Sequence, residues 1–453
     1  MTLGTLGAVG VLNNQGAFGG WADTTTIDPI CMNHPPDCYS NHAFIWQNGA
    51  KTDLGILPDG INSQVNWVSG NGLVTGNADN THTDPVLGTP FQIRGTFWGH
   101  DHVITDIGAL PGTYFAGPIA VNNRDEVVGG AMNTIPDSNS MWGLGYQTRA
   151  FYWKNGSMQD LGTLGTGTDA VAGLINERGQ VVGVSYTNAS QSAFCANFGY
   201  PLTAGSFIWD HKGGMRDIGS LGGTCTLATD LNNRSQIVGI SSLAGDQTYH
   251  PFVWDAATGM TALMDASNGF SGYVNAINDR GQIVGEVCDA VTCYAALWQK
   301  RGGKWQGMDL GIFTVSGCPS ATSVNASGQV AGTDYCVGLP FLSEDGANIV
   351  DLNTLVPSNS GLQLNEAGQI NDRGEIAVNA TDASFNNHDV VLIPCDENHP
   401  NVAGCDYSLV EASGAAVHTT PAVRGAESRA LPQSLLRRMN RYHLPGLGAS
   451  PRN

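Results

Sequence analysis

Positive charge is scarce in this chain of 453 residues: 20 Lys and Arg stand against 39 Asp and Glu, a net charge of −19. That balance argues against a nucleic-acid partner, because phosphate backbones are held by clustered cations. It also disfavours anionic substrates attracted from a distance. It suits cations, neutral sugars and neutral small molecules. Charge of either sign is sparse, at 13 %, so few residues are available to solvate long exposed helices. No apolar run approaches the length of about 20 residues that spans a bilayer as a helix, so no membrane span is expected. Also missing are a G-x-S-x-G serine elbow, a P-loop and a dinucleotide fingerprint.

What is present is glycine (60 residues) and repetition. "INDRGQIVG" ends at Gly285, "INERGQVVG" at Gly183 and "LNNRSQIVG" at Gly239. Eight such copies close at Gly20, Gly76, Gly129, Gly183, Gly239, Gly285, Gly332 and, in degenerate form, Val378. Their spacings are 56, 53, 54 and 56, then 46, 47 and 46. Each copy is followed by a second signature, such as "HAFIW", "RAFYW" or "PFVW", and most by a third, such as "TDLGIL" or "QDLGTL". Each unit therefore reads as four short strands, with "N-x-R-G" as the turn between the first two. A unit of this size cannot bury both its faces alone, and radial stacking gives a β-propeller. The expected architecture is all-β, with about eight four-stranded repeats (seven as the alternative) over residues 1–395. A closing segment follows at 396–411 with the Cys395 and Cys405 loop, and then a basic tail at 412–453 that reads as disordered. "TLGTLG" near the start and "YSLVEA" at Tyr407 compete as the last strand of the ring.

The signatures "HAFIW", "DLGTLG" and "INxxGQVVG" resemble the HAF-repeat family of extracellular bacterial repeat proteins. The resemblance implies export and a propeller-like fold, and it implies no particular activity. Ten cysteines in near-neighbour sets (Cys31 and Cys38, Cys288 and Cys293, Cys318 and Cys336, Cys395 and Cys405, with Cys195 and Cys225 left) favour disulfides in an oxidising compartment. Their pairing does not follow from sequence. The chain is read as a secreted or periplasmic monomer whose export signal is not in this sequence.

In an up-and-down unit, the first-to-second and third-to-fourth turns share one face, and here they are short and stereotyped. The second-to-third loops and the inter-unit links share the other face, and they are long and variable. Function is expected there, in an off-centre pocket walled by units one to four. The repeating Asn13, Asn122, Asn176, Asn232, Asn278, Asn325 and Asn371 read as turn caps, with Ser69 in the second copy. The repeating Asp53, Asp106, Asp160, Asp217, Asp309 and Asp351 read as structural for the same reason of regularity. So does the cluster His100, Asp101 and His102, which falls on a short turn.

The candidate chemistry is assigned to residues entering the variable face. Asp23, Asp79, Glu286, Asp289, Asp334 and Asp382 come from five units and are nominated as Ca²⁺ ligands, since Ca²⁺ takes six to eight oxygens. His42, His250 and His388, at one repeat position, are nominated as catalytic bases. The resulting expectation is a Ca²⁺-dependent hydrolase of small neutral lactones or esters, such as N-acyl homoserine lactones. It rests on analogy with the Ca²⁺-binding propellers of the paraoxonase and gluconolactonase families. The alternatives are a non-catalytic propeller that binds glycans or proteins and a purely structural protein. For a glycan, the aromatics outside the repeat positions are Trp21, Trp67, Trp142 and Trp305.

Overall fold

The computed structural model describes residues 11–29, 38–264, 270–289, 291–314, 317–344, 346–356, 360–396 and 399. They form eight units of antiparallel strands arranged in a ring, an eight-unit β-propeller. The fourth unit is representative, with strands Ala170–Ile175, Val181–Gln191, Leu202–Asp210 and Gly214–Asp217 from the axis outward. Its sheet runs on into the fifth through a parallel bridge between Ala204 and Cys225. Both candidate closing segments and the basic tail lie outside the described residues.

Each signature has a physical cause. The aromatic pair in "AFxW" joins neighbouring units: Trp153 packs on Phe97 and Trp209 on Tyr152 across unit boundaries, with ring centroids 5.5 and 5.4 Å apart. Trp98 Nε1 donates to Leu54 O of the unit before it (2.9 Å). Burying one such ring stabilises by roughly 2–3 kcal/mol, and the contact recurs around the ring. In "DLG", the Leu or Ile is buried and the Asp ends the strand. Asp53, Asp106, Asp160, Asp217 and Asp309 each accept the N–H two residues on. That N–H belongs to a glycine at positive φ, 71° at Gly55 and 88° at Gly162.

The glycine that closes "QIVG" answers to a bulge. In every described innermost strand from unit two to unit eight, the register slips just where this residue pairs. The extra residue bends the strand and brings a carbonyl against the glycine. A Cβ on Gly183 would lie 2.0 Å from Val171 O, and one on Gly285 1.9 Å from Tyr273 O. The eighth copy carries Val378 instead; its shift also begins at this pair, Ala367 with Val378, and a second shift lies between Leu364 and Glu366.

The repeating asparagines do more than cap. Asn176 Oδ1 accepts the N–H of Arg178 and Gln180 (both 3.0 Å), which holds the turn. Its Nδ2 donates to Asn232 O in the next unit (3.1 Å). Asn232 donates to Asn278 O, Asn278 to Asn325 O, Asn325 to Asn371 O, and Asn371 to Asn13 O. Asn13 donates to Ser69 O, and Asn122 to Asn176 O. Ser69 is too short to continue the series. Asn71, two residues on, bonds Asn123 through its N–H and its Nδ2 instead. The ring is thereby laced shut on its short-turn face.

Candidate functional site

The residues nominated from sequence are placed on the variable face, as their repeat position requires, but they serve local structure. Asp79 Oδ1 accepts the N–H of Ile61 and Asn62 (2.7 and 2.8 Å). Asp289 caps Val291 and Thr292 (both 2.7 Å). Asp334 caps Cys318 and Cys336 (2.9 and 3.2 Å). Asp382 caps Ser384 and Asn386 (2.8 and 3.0 Å). Asp23 lies on a second strand opposite Asn41, and Glu286 is buried opposite Ala295. Two oxygens on one Ca²⁺ stand no more than about 4.8 Å apart, twice the metal–oxygen distance. Among the described residues, the one set of three or more His, Cys, Asp or Glu meeting that limit is Cys318, Asp334 and Cys336. Its two sulfurs are joined in a disulfide. The six carboxylates therefore do not fit a shared Ca²⁺.

The histidines do not assemble either. His42 Nδ1 is 2.9 Å from Asp53 Oδ2, in the position where Arg94 meets Asp106 and Arg149 meets Asp160. It is one of three clamps at this position between a third strand and a fourth among the described residues. His388 Nε2 pairs with Asp382 Oδ2 (3.0 Å), and His250 is buried beneath the fifth unit's loops. The first, fifth and eighth units hold one each. The cysteines pair as Cys195–Cys225, Cys288–Cys293 and Cys318–Cys336, and Cys38 and Cys395 are also disulfide-bonded.

A cavity that combines charge with an aromatic lies on the opposite face, between units five and six. It has a volume of about 380 Å³. Two repeat turns form one side and contribute Arg234, Gln236, Arg280, Gly281 and Gln282. The sixth unit's outer hairpin forms the other side and contributes Gln299, Lys300 and Trp305. That hairpin departs from the repeat. In the first unit a single residue pair, Gln47 with Ala50, lies between the Trp and the turn. In the sixth, three pairs do: Gln299 with Gln306, Lys300 with Trp305, and Arg301 with Lys304. Two extra pairs lift the tip by about 7 Å and stand Trp305 beside the turns. Lys300 Nζ lies 5.8 Å from the indole centroid.

The arginines of the repeat turns fall into two kinds, and Arg234 and Arg280 share theirs with Arg178, which is followed by Gln180. Arg124 and Arg373 are each neutralised by a glutamate two residues on, Glu126 (2.7 Å) and Glu375 (3.3 Å). Burial opposes ionisation of Glu126, but bonds from Asn122, Arg124, Lys154 and Tyr152 outweigh it and hold the carboxyl below its ordinary range. At the corresponding positions Arg234 and Arg280 have Gln236 and Gln282. Asn232 and Asn278 donate to the oxygens of these amides (2.9 and 2.8 Å), which leaves the NH₂ ends on the side away from the asparagine ring. Gly281, at φ 83°, keeps the floor open, since a Cβ there would be 3.3 Å from Gln236 Oε1. The charged groups of the cavity lining are thus all donors, two guanidiniums and an ammonium, with two amides beside them.

Sequence reasoning named Trp305 as a free aromatic and missed its neighbours. The signal was legible in "QKRGGKWQ", which is longer than "WQNG".

No family model matches the chain, and no curated protein matches it. Among solved structures, it is similar to the β-propeller domain of the trilobed protease from Pyrococcus furiosus (8 % identity, TM-score 0.44, covering 79 % of this chain and 98 % of that one). It is also similar to a puromycin-hydrolysing peptidase of Mycobacterium tuberculosis (10 %, 0.44, 83 % and 57 %). A third is virginiamycin B lyase from Staphylococcus aureus (12 %, 0.40, 73 % and 94 %).

Proposed function

We propose that this chain is a non-catalytic, extracellular carbohydrate-binding propeller of the HAF-repeat type. Its ligand site is the cavity between the fifth and sixth units. The observation that carries the reading is the break in symmetry at the sixth outer hairpin. A scaffold needs no lengthened hairpin on its otherwise uniform face. This one places an indole, the surface on which a pyranose ring stacks, against a wall of hydrogen-bond donors. Its sulfur chemistry fits an oxidising compartment, and no helix among the described residues is long and apolar enough to cross a membrane.

The test is a glycan array read with the full chain and with Trp305→Ala. Saturable binding that the substitution abolishes supports the site. Equal binding by both proteins removes it.

A second reading, a Ca²⁺-dependent lactone or ester hydrolase, is favoured by the His42–Asp53 and His388–Asp382 pairs. A histidine held against a carboxylate is the arrangement a general base uses. Turnover of a lactone panel that chelator abolishes and Ca²⁺ restores would support it, and no turnover from folded protein would end it.

A further inference from the structure

We infer that the cavity selects acidic saccharides, sugars whose rings carry carboxylate groups, over neutral ones. The inference rests on the reading of this cavity as a saccharide site and adds the ligand's charge.

Three observations carry it. The first is the donor wall. Arg234, Arg280 and Lys300 line the space together, with the amides of Gln236 and Gln282 beside them. A neutral sugar presents hydroxyls, which both donate and accept, and so leaves part of such a wall poorly matched. A carboxylate only accepts, and a guanidinium can hold it with two parallel bonds.

The second is the missing counter-charge. In the turns of units three and eight a glutamate occupies the arginine, and here the equivalent residue is an uncharged amide. Arg234 and Arg280 each spend one nitrogen on a backbone carbonyl of the next turn, Arg280 O (3.3 Å) and Ser327 O (3.5 Å). Those bonds fix the guanidiniums in place without neutralising them. Carboxylates do stand at the rim: Asp255 feels the Lys300 charge, and Asp279 accepts from Asn233 (2.7 Å). Neither is paired with either arginine in an ion pair.

The third is where the cations lie in the whole molecule. Before residue 400, every Lys and Arg except Arg94 and Arg149 sits within three residues of a short turn on this face. Those two are held by Asp106 and Asp160. A net charge of −19 therefore does not describe the field at the cavity. At physiological salt, charges beyond about 8 Å are largely screened, so the field in the cavity is set by the three lining cations and the two rim carboxylates rather than by the net charge.

The experiment is a calorimetric titration of the full chain with two oligosaccharides of equal length, an oligogalacturonate and its neutral counterpart, each at low and at moderate salt. The acidic ligand is expected to bind at least about tenfold more tightly at low salt, and to lose most of that advantage when salt is raised. Arg280→Gln and, independently, the exposed Lys300→Gln are expected to erase the preference, with the acidic ligand losing far more affinity than the neutral one. Trp305→Ala is expected to weaken both ligands. A sulfated oligosaccharide is the control for the kind of anion: binding as tight as the uronate's would overturn the assignment to carboxylates. Equal affinity for acidic and neutral ligands, lost in Trp305→Ala, would overturn charge selection and leave the saccharide site standing. Binding of neither ligand would overturn both.

Discussion

Gly173 and Gly183 sit in paired strands of one unit, yet they answer to different constraints. Gly183 faces Val171 O across a bulge with no room for a methyl group, and nothing stands within 4 Å of a Cβ on Gly173. Gly183→Ala is expected to cost on the order of 3 kcal/mol by forcing the bulge to reorganise. Gly173→Ala is expected to change stability by less than about 0.5 kcal/mol. Urea titration of the two variants checks both. A second residue-scale effect concerns Asp230, enclosed between the innermost strands of units five and six, where it accepts the N–H of Ile277 and of Leu231 (both 2.7 Å). Burial pushes its carboxyl up from 3.8 to about 6, and burial does the same to Asp389. Because the folded value lies above the unfolded one, the stabilising contribution is complete below pH 3.8 and is lost as pH rises through about 6. Asp230→Asn should therefore gain on the native protein across that window and hold a constant difference above it. A thermal-midpoint series in pH reads this directly, and a difference independent of pH would contradict it.

Among elements, the fourth and fifth units are joined by the strand bridge and by Cys195–Cys225. Cys195 lies in a four-residue helix, Ala193–Ala196, capped by Ser192 and packed with Phe194 and Phe198 over Tyr249 of the next unit. The cross-link closes a loop with a sequence separation of 30, for which the lost chain entropy of the unfolded state is worth about 3–4 kcal/mol. Cys195→Ala with Cys225→Ala should lower stability by that order, whereas opening Cys288–Cys293, separated by 5, should cost distinctly less. Guanidinium unfolding of the two variants tests the ranking. The four-strand pattern, the turns and the strand order were legible in sequence, because periodic residues report periodic packing. The bulges were not, since one extra residue per strand leaves no mark in an alternation that the repeat already blurs. The link from Cys195 to Cys225 was legible only as a remainder, because partners brought together by folding carry no local spacing.

At the scale of the molecule, charge is unevenly divided between two faces, most of the acids lying toward the variable one. Loop length and acid content pointed to the variable face. There Asp79, Asp289, Asp334 and Asp382 proved to be backbone caps, because an aspartate next to a free N–H in a loop satisfies it. The feature that breaks symmetry is small, two residue pairs in one hairpin, and it is outweighed in any count by inserts of ten residues. The division also makes a prediction. With most of the negative charge gathered on one face, self-repulsion opposes the folded state. Adding sodium chloride at neutral pH should raise the thermal midpoint before any salting-out effect appears. A falling midpoint would mean that the surface ion pairs dominate instead.

The asparagine lacing has a mechanical meaning. Every one of its links points the same way round, and none is first or last, so the ring behaves as a hoop under tension. A hoop parts at its weakest join. Seven joins are made by an asparagine Nδ2 on the next unit's carbonyl, all buried. The eighth, from Asn71 to Asn123, is made in contact with solvent, where water competes for both partners. Under load, the rupture should begin between the second and third units.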